Sequence, residues 1–115
     1  MLLASAVSAT ITSIESRPGC IQAALNILGD KWSPLLLGQL VEGGKTFGEL
    51  ETSLAGISPR TLSARLDKLA EHGIVAKVMY CPHPPRYRYE LTKKGVELQD
   101  ILSAMGDWGN KYQLA

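Results

Sequence analysis

The stretch from Thr46 to Gly73 constrains the fold more than any other, because it contains two capped helix patterns and a very short turn. Thr46 and Glu49 have the spacing of a capping box, in which each side chain bonds the other residue's backbone amide. A second helix would begin at Ser58, a capping residue followed by a proline, and would end at Gly73. The pattern therefore predicts a helix-turn-helix.

Both predicted helices carry an apolar stripe at helical spacing, so each should pack one face into a core. Gly56, in the turn between them, is free to adopt a positive φ. The stripe residues are Phe47, Leu50 and Leu54 in the first helix and Leu62, Leu66 and Leu69 in the second.

Two more helices are predicted before this motif. One spans residues 20–28. The other begins with the cap-plus-proline pair Ser33-Pro34, after a connector at residues 30–32. The leucines of this second helix surround most of its circumference, which is typical of a helix at the centre of a domain. The stripe of the first consists of Ile21, Ala24, Leu25 and Leu28.

After Gly73 the apolar spacing changes to that of strands. Residues 74–80 form an extended run, and residues 86–91 alternate charged and aromatic side chains. The three prolines within residues 81–85 cannot continue a sheet ladder, so this segment should be a loop. Thr92 would cap a final helix. The predicted fold is mainly α with a β-hairpin wing, a winged helix-turn-helix in the order α-α-α-α-β-β-α.

The final helix has a large apolar stripe, and a domain of about 90 residues has little core left to cover it. Dimerisation through this helix is the economical solution, and a winged helix that reads two half-sites needs two-fold symmetry. The alternative is that Trp108 folds back on its own domain. The predicted interface residues are Leu98, Ile101, Leu102, Met105 and Trp108.

The second helix of the motif is the predicted DNA-reading element. With its leucines inward, residues 58–65 expose only small, hydrogen-bonding or cationic side chains, and Arg60 could bond guanine O6 and N7 together. A solvated helix face would explain the charges, but not why the acids Asp67 and Glu71 occur only in the other half. The predicted contacts are Ser58, Arg60, Thr61, Ser63, Ala64, Arg65 and Lys68.

Two further elements are predicted to contact phosphates. In the hairpin, Arg86 and Arg88 alternate with tyrosines, and arginines on a wing typically track the DNA backbone. The alternative is a polar strand face with two aromatic side chains behind it. Lys45 and Thr46 lie at a helix N-terminus whose free amides could hold a phosphate. Double-stranded DNA is therefore the predicted partner.

Composition excludes several other classes of protein. The formal net charge is +1, so bulk charge gives no support for nucleic-acid binding. Two cysteines are too few for a disulfide-stapled secreted scaffold, and no stretch approaches the roughly 20 apolar residues of a membrane span. We expect a cytoplasmic protein without membrane association, metal or cofactor. Phosphate-binding glycine loops and the HExxH and GxSxG patterns are missing, so no enzyme is expected.

The predicted domain organisation is an N-terminal arm, residues 1–19, and a single domain, residues 20–115. The arm is apolar but lacks the basic region of a signal peptide. Cys20 would lie at the start of a helix, where the dipole lowers the pKa of a thiol and makes it more reactive. The alternative is a small buried side chain that fills the core.

Several short motifs occur in a characteristic order. The most specific is Pro84-Pro85-Arg86-x-x-Tyr89-x-Leu91-Thr92-x-x-Gly95. The others are Cys20, Gly29-Asp30-Lys31-Trp32, Phe47-x-x-Leu50, Gly56-Ile57-Ser58-x-Arg60-x-Leu62, Arg65-Leu66-x-x-Leu69 and Trp108-Gly109. Together they resemble the HxlR-type family of bacterial and archaeal winged-helix transcription regulators, relatives of the MarR group.

This resemblance implies a homodimer, built through the terminal helices, that binds a pseudo-palindromic operator. Residues 58–68 and the wing around Arg86 would contact the DNA. In several members a cysteine at the position of Cys20 senses electrophiles or oxidants, so an oxidant or a small molecule is the expected effector. The alternative function is a winged-helix protein-interaction module that uses its hydrophobic terminal helix and binds no DNA.

Overall fold

The computed structural model describes residues 21–112, which form five helices and one antiparallel hairpin in the predicted order α-α-α-α-β-β-α. None of these helices is long and apolar enough to cross a membrane. Cys20, the predicted arm and residues 113–115 lie outside the described residues. The elements are α1 (Ile21–Leu28), α2 (Trp32–Leu40), α3 (Phe47–Ser53), α4 (Pro59–Glu71), β1 (Val75–Pro82), β2 (Pro85–Leu91) and α5 (Lys93–Lys111).

The core forms where α2, α3 and α4 meet the start of β1. The predicted stripe of α4 is fully buried, and burial of each leucine contributes roughly 1.5–3 kcal/mol. This stripe therefore decides which face of α4 points outward. The other core side chains are Ile27, Leu36, Leu37, Leu40, Leu50, Leu54, Ile57, Ile74 and Val75.

The capping box at the start of α3 is confirmed. The Thr46 hydroxyl accepts a hydrogen bond from the Glu49 amide (3.2 Å), and the Thr46 amide donates to the Glu49 carboxylate (2.9 Å). The bond from the Thr46 amide is the main reason why the pKa of Glu49 lies below its ordinary value. Because Thr46 and Glu49 are only three residues apart, the start of α3 could be predicted from the sequence.

The turn and the start of α4 are also as predicted. Gly56 has a φ of 91°, a conformation that costs glycine little. The Ser58 hydroxyl accepts a hydrogen bond from the Thr61 amide at 3.1 Å, and Pro59 occupies the first helical position. The helix-turn-helix is thus set by local hydrogen bonds at both of its helix starts.

The prediction that Ser33 caps α2 is wrong, because Asp30 takes that role. The Asp30 carboxylate accepts hydrogen bonds from the amides of Trp32 and Ser33, both at 2.8 Å, and from the Ser33 hydroxyl at 2.7 Å. Helix α2 consequently begins at Trp32, within the predicted connector, and Ser33 is buried in its first turn. An aspartate reaches both orphan amides from outside the helix.

The predicted stripe of α1 is only partly right, since Leu28 packs against the core as predicted. Ile27 is the residue of this helix that is buried, whereas Ile21 and Leu25 are exposed. A helix of eight mostly apolar residues offers more than one apolar face, and packing against the rest of the domain selects between them. In α2 the predicted burial holds for one side only, since Leu35 is exposed.

The wing is longer than predicted. Strand β1 continues through Pro82 and pairs with β2 from Pro85 onward, so the turn contains only two residues. A two-stranded sheet leaves one edge of each strand without ladder bonds, and prolines are tolerated there. The register shifts between Met79 and Cys81, as at a β-bulge.

Candidate nucleic-acid interface

The outward face of α4 is the centre of the candidate interface. Arg60, Ser63 and Ala64 are exposed, and no ion pair involves Arg60 within the described residues. The Ser58 hydroxyl donates to the Thr61 hydroxyl at 2.9 Å, which orders the polar side chains at the helix start. This half of the helix therefore presents the unpaired guanidinium of Arg60 among small side chains, whereas the second predicted arginine, Arg65, is paired.

Two of the predicted DNA contacts have partners within the protein. Arg65 is 33% exposed at its side chain, and its Nε lies 3.5 Å from an Asp30 carboxylate oxygen. Lys68 donates from its Nζ to the Asn26 carbonyl oxygen at 2.6 Å. Both cations are thus directed towards the junction between α1 and α2, away from the face that carries Arg60.

Asp30 is the titratable group at that junction. Partial burial alone would raise the pKa of this carboxyl group. The hydrogen bonds from Ser33 and Trp32, together with the positive charge of Arg65, outweigh burial and hold the pKa below its ordinary value of 3.8. The carboxylate is therefore ionised in the folded protein at neutral pH.

Replacing Asp30 by asparagine should lower stability by about 1 kcal/mol at neutral pH, because the amide oxygen can still cap α2 but lacks the charge that strengthens these hydrogen bonds and faces Arg65. The pKa of Asp30 is lower in the folded protein than in the unfolded chain. The stability that its charge contributes is therefore fully present at pH values above the unfolded pKa, and it is lost as the pH falls through the folded pKa. Urea unfolding at pH 7 and near pH 3 should show that the difference in free energy of unfolding between wild type and variant becomes smaller in acid. A gap that stays constant with pH would contradict this account.

The wing presents one free arginine. Arg86 is exposed near the hairpin turn, opposite Cys81, and forms no ion pair with any described residue. Arg88 is paired with Glu90, its Nε lying 2.6 Å from a carboxylate oxygen. Glu90 therefore places a negative charge beside Arg88, whereas Arg86 has no such neighbour among the described residues. Arg86 is consequently the stronger candidate for a phosphate contact.

Lys45 joins the wing to the helix-turn-helix. Its backbone amide donates to the Tyr89 carbonyl at 3.0 Å, and the Tyr89 amide donates back at 2.7 Å. At the Thr46 helix start, the capping box uses the amides of Thr46 and Glu49 and adds a negative charge, so the predicted phosphate contact there has less support. Lys45 stays a predicted phosphate contact beside the wing.

The terminal helix leaves an apolar surface uncovered. Ile101, Met105 and Trp108 are 57%, 62% and 59% exposed, so the alternative in which Trp108 folds back on its own domain is not observed. Leu98 and Leu102, which the sequence placed in the same interface, are half-buried and pack on the domain's own core. The exposed part of the stripe therefore begins at Ile101.

The sequence reasoning missed the junction between α1 and α2. Asp30 and Asn26 received no role, although the spacing of Asp30 to Ser33 is a capping signal that was available. A cleft of about 500 Å³ between α1 and α5, lined by Ile27, Leu98 and Ile101 among others, had no sequence signal at all. Such a cleft depends on how two distant helices pack.

Taken together, the motif of α3 and α4, the exposed arginine on α4 and the arginine-bearing hairpin define a winged helix-turn-helix protein. The HxlR-like helix-turn-helix family model matches residues 27–115. An uncharacterised HTH-type transcriptional regulator from Synechocystis sp. is 40% identical over 92 residues, which are 80% of this chain and 68% of that protein.

Solved structures give the same result. A MarR-family transcriptional regulator from Enterococcus faecalis V583 has a TM-score of 0.75 and 36% identity, over 81% of this chain and 84% of that one. The redox regulator HypR in its reduced form has a TM-score of 0.75 and 31% identity, over 82% and 93%. The chain belongs to the HxlR-like helix-turn-helix family and is a transcriptional regulator related to the MarR group.

Proposed function

We propose that this regulator acts in the cytoplasm as a homodimer that binds a pseudo-palindromic DNA operator in a sequence-specific way. The observation that carries the proposal is the first half of α4, an exposed, acid-free face around Arg60. Small side chains there allow the helix to approach base edges, and a guanidinium can read guanine bidentately. Arg86 on the wing and Lys45 beside it would supply phosphate contacts that orient the helix.

The homodimer is supported by the apolar stripe of α5. Three large apolar side chains, Ile101, Met105 and Trp108, are each more than half exposed on one face of the same helix. Contiguous apolar surface of this kind marks an interaction site in soluble proteins. Pairing of two such helices would bury the stripe and relate two copies of α4 by the two-fold symmetry that a palindromic site requires.

Replacing Arg60 by alanine should weaken binding to the preferred operator by about 1–3 kcal/mol and relax specificity at one base position. Arg86→Ala should instead weaken binding to all sequences alike, and the slope of log K against log salt should become shallower by roughly 0.9. Fluorescence anisotropy on an operator selected from a random pool, and on a scrambled duplex, measures both effects.

Lys93→Ala is the matched control for these two variants. Lys93 is an exposed cation at the start of α5, next to Lys94, which bonds the C-terminal end of α4. Its removal changes the net charge by the same unit without touching the proposed interface. If Arg60→Ala behaves like Lys93→Ala on both duplexes, α4 does not read DNA bases in the manner proposed.

We further propose that a thiol or an oxidant-responsive effector controls DNA binding, with Cys20 as the sensor. The similarity to the redox regulator HypR supports this part of the proposal. Treatment with diamide should modify Cys20 and change operator affinity in wild type, but not in Cys20→Ser. Cys81→Ser is the control, since the half-buried Cys81 lies on the wing. An unmodified Cys20 with unchanged binding would exclude thiol control.

A protein-interaction module is the second candidate function. The exposed α5 stripe and the net charge of only +1 both favour it, because neither requires DNA. Retention on immobilised DNA and selection from a random pool separate the two candidates. A module of this kind would enrich no sequence, whereas the proposed regulator should enrich a pseudo-palindrome.

A further inference from the structure

Helix α4 is attached to the α1–α2 junction by two cations that lie one turn apart. Arg65 faces Asp30, and Lys68 donates to the carbonyl oxygen of Asn26. That carbonyl belongs to the last turn of α1, where helix carbonyls lack partners within the helix and the dipole is negative. Each cation therefore meets a complementary partner.

Asp30 connects α2 with α4. It caps α2 through three hydrogen bonds from Trp32 and Ser33, and it is also the charge that faces Arg65. The Arg65 Nε is buried without a hydrogen-bond acceptor, so the charge of Asp30 is what holds it. If Arg65 turned towards DNA, the Asp30 carboxylate would keep its three hydrogen bonds but lose the positive charge beside it.

The junction leaves no room for a side chain at Gly29. A side chain at Gly29 would place its Cβ 2.7 Å from the Leu25 carbonyl oxygen, closer than such atoms approach. The junction therefore lies close against the last turn of α1, the same turn whose Asn26 carbonyl oxygen accepts from Lys68.

We propose that Asp30, Arg65 and Lys68 form a clasp that, together with the buried leucine stripe, sets the orientation of α4 on the domain, so that Arg65 and Lys68 are positioning residues and not DNA contacts. This inference rests on the proposed function and replaces the direct DNA role predicted for both cations. Because α1 and α5 lie side by side along one cleft, the clasp also links α4 to the helix pair nearest the proposed dimer surface. A rigid link of this kind fixes the spacing between the two copies of α4.

The test compares Arg65→Gln, Asp30→Asn, Lys68→Gln and the double variant Asp30→Asn/Arg65→Gln with wild type by anisotropy. Selected operator and scrambled duplex are measured between about 50 and 200 mM salt. Arg65→Gln and Asp30→Asn should each weaken operator binding about tenfold, or roughly 1.4 kcal/mol, and leave scrambled binding and the salt slope unchanged. The double variant should be no weaker than either single one.

Asp30→Asn is the decisive variant. It removes a negative charge, so electrostatics alone would tighten binding to both duplexes, whereas the clasp predicts loss on the operator only. Arg65→Lys, which keeps the charge, should recover part of the operator affinity. Circular dichroism at the assay temperature checks that each variant is folded, and Arg65→Gln leaves the α2 cap intact if Asp30→Asn does not fold.

Two outcomes would overturn the clasp while the proposed function stands. The first is a salt slope shallower by about 0.9 in Arg65→Gln with losses on both duplexes, since this is the behaviour of a phosphate contact. The second is unchanged operator binding in both single variants. If wild type prefers no sequence, the proposed function fails, and the positioning role fails with it.

Discussion

Replacing Met105 by glutamate is expected to convert the protein into a monomer and to abolish tight operator binding. Met105 is 62% exposed at the middle of the α5 stripe, where pairing of two copies would surround it with apolar side chains. A carboxylate at that position would be buried without a partner. We expect the dimer Kd to rise at least about 100-fold, or roughly 2.7 kcal/mol, by sedimentation equilibrium.

The same variant should bind a half-site duplex as wild type does, because α4 and the wing are untouched. Val96→Glu is the matched control, since Val96 is also an exposed apolar residue of α5 but lies about 180° around the helix from Met105. A dimer that persists in Met105→Glu, or dissociates equally in Val96→Glu, would place the interface elsewhere.

The second large effect concerns the start of α5. Replacing Gly95 by alanine should destabilise the protein by about 3 kcal/mol, although alanine is the better helix former. A Cβ at Gly95 would overlap the carbonyl oxygen of Ile74 and lie 3.2 Å from Leu91 Cδ2. Helix α5 cannot move away from Ile74, because the Thr92 hydroxyl holds its first turn. This hydroxyl donates a hydrogen bond to the Gly73 carbonyl oxygen at 2.6 Å and accepts one from the Gly95 amide.

Urea unfolding and thermal melting without DNA measure this effect, and we expect Tm to fall by more than about 10 °C. Gly48→Ala is the control. Gly48 also lies in a helix, but a Cβ there would meet nothing within 4 Å, so its stability should be unchanged or slightly higher. Equal behaviour of the two variants would mean that α5 can move away from Ile74.

The three variants change different parts of the molecule. Gly95 tests how α5 is attached to its own domain, Met105 tests what the free part of the helix does, and Arg60 tests what α4 reads. The clasp of Asp30, Arg65 and Lys68 lies between the last two, because it ties α4 to the helices next to the proposed dimer surface. A regulator needs all of these links if a change at the dimer is to alter DNA binding.

The local structure of this protein could be predicted from the sequence. The helix starts at Thr46, Ser58 and Thr92 are each closed by a hydrogen bond to a residue three positions ahead. The α4 stripe repeats at helical spacing, and the order of elements followed from such patterns. Neighbours along the chain are neighbours in space, so these features need no tertiary information.

Other features were decided by packing between distant segments. The sequence could not distinguish the buried Ile27 from the exposed Leu25, because α1 has more than one apolar face. It also could not show that Arg65 and Lys68 have partners within the protein, since a helical wheel shows which way a side chain points but not what lies there. Lys68 meets a carbonyl 42 positions earlier in the chain, a contact that exists only once α1 and α4 are packed together.

The helix-turn-helix from Thr46 to Gly73, with its caps and its outward Arg60, was thus determined by the sequence alone, since short-range hydrogen bonds and apolar spacing specify it. The tertiary structure decided which of its cations have partners within the protein, Arg65 and Lys68, and which has none among the described residues, Arg60. That division depends on partners supplied by α1 and by the junction that follows it, whose positions follow from burial of the shared core and not from any local pattern.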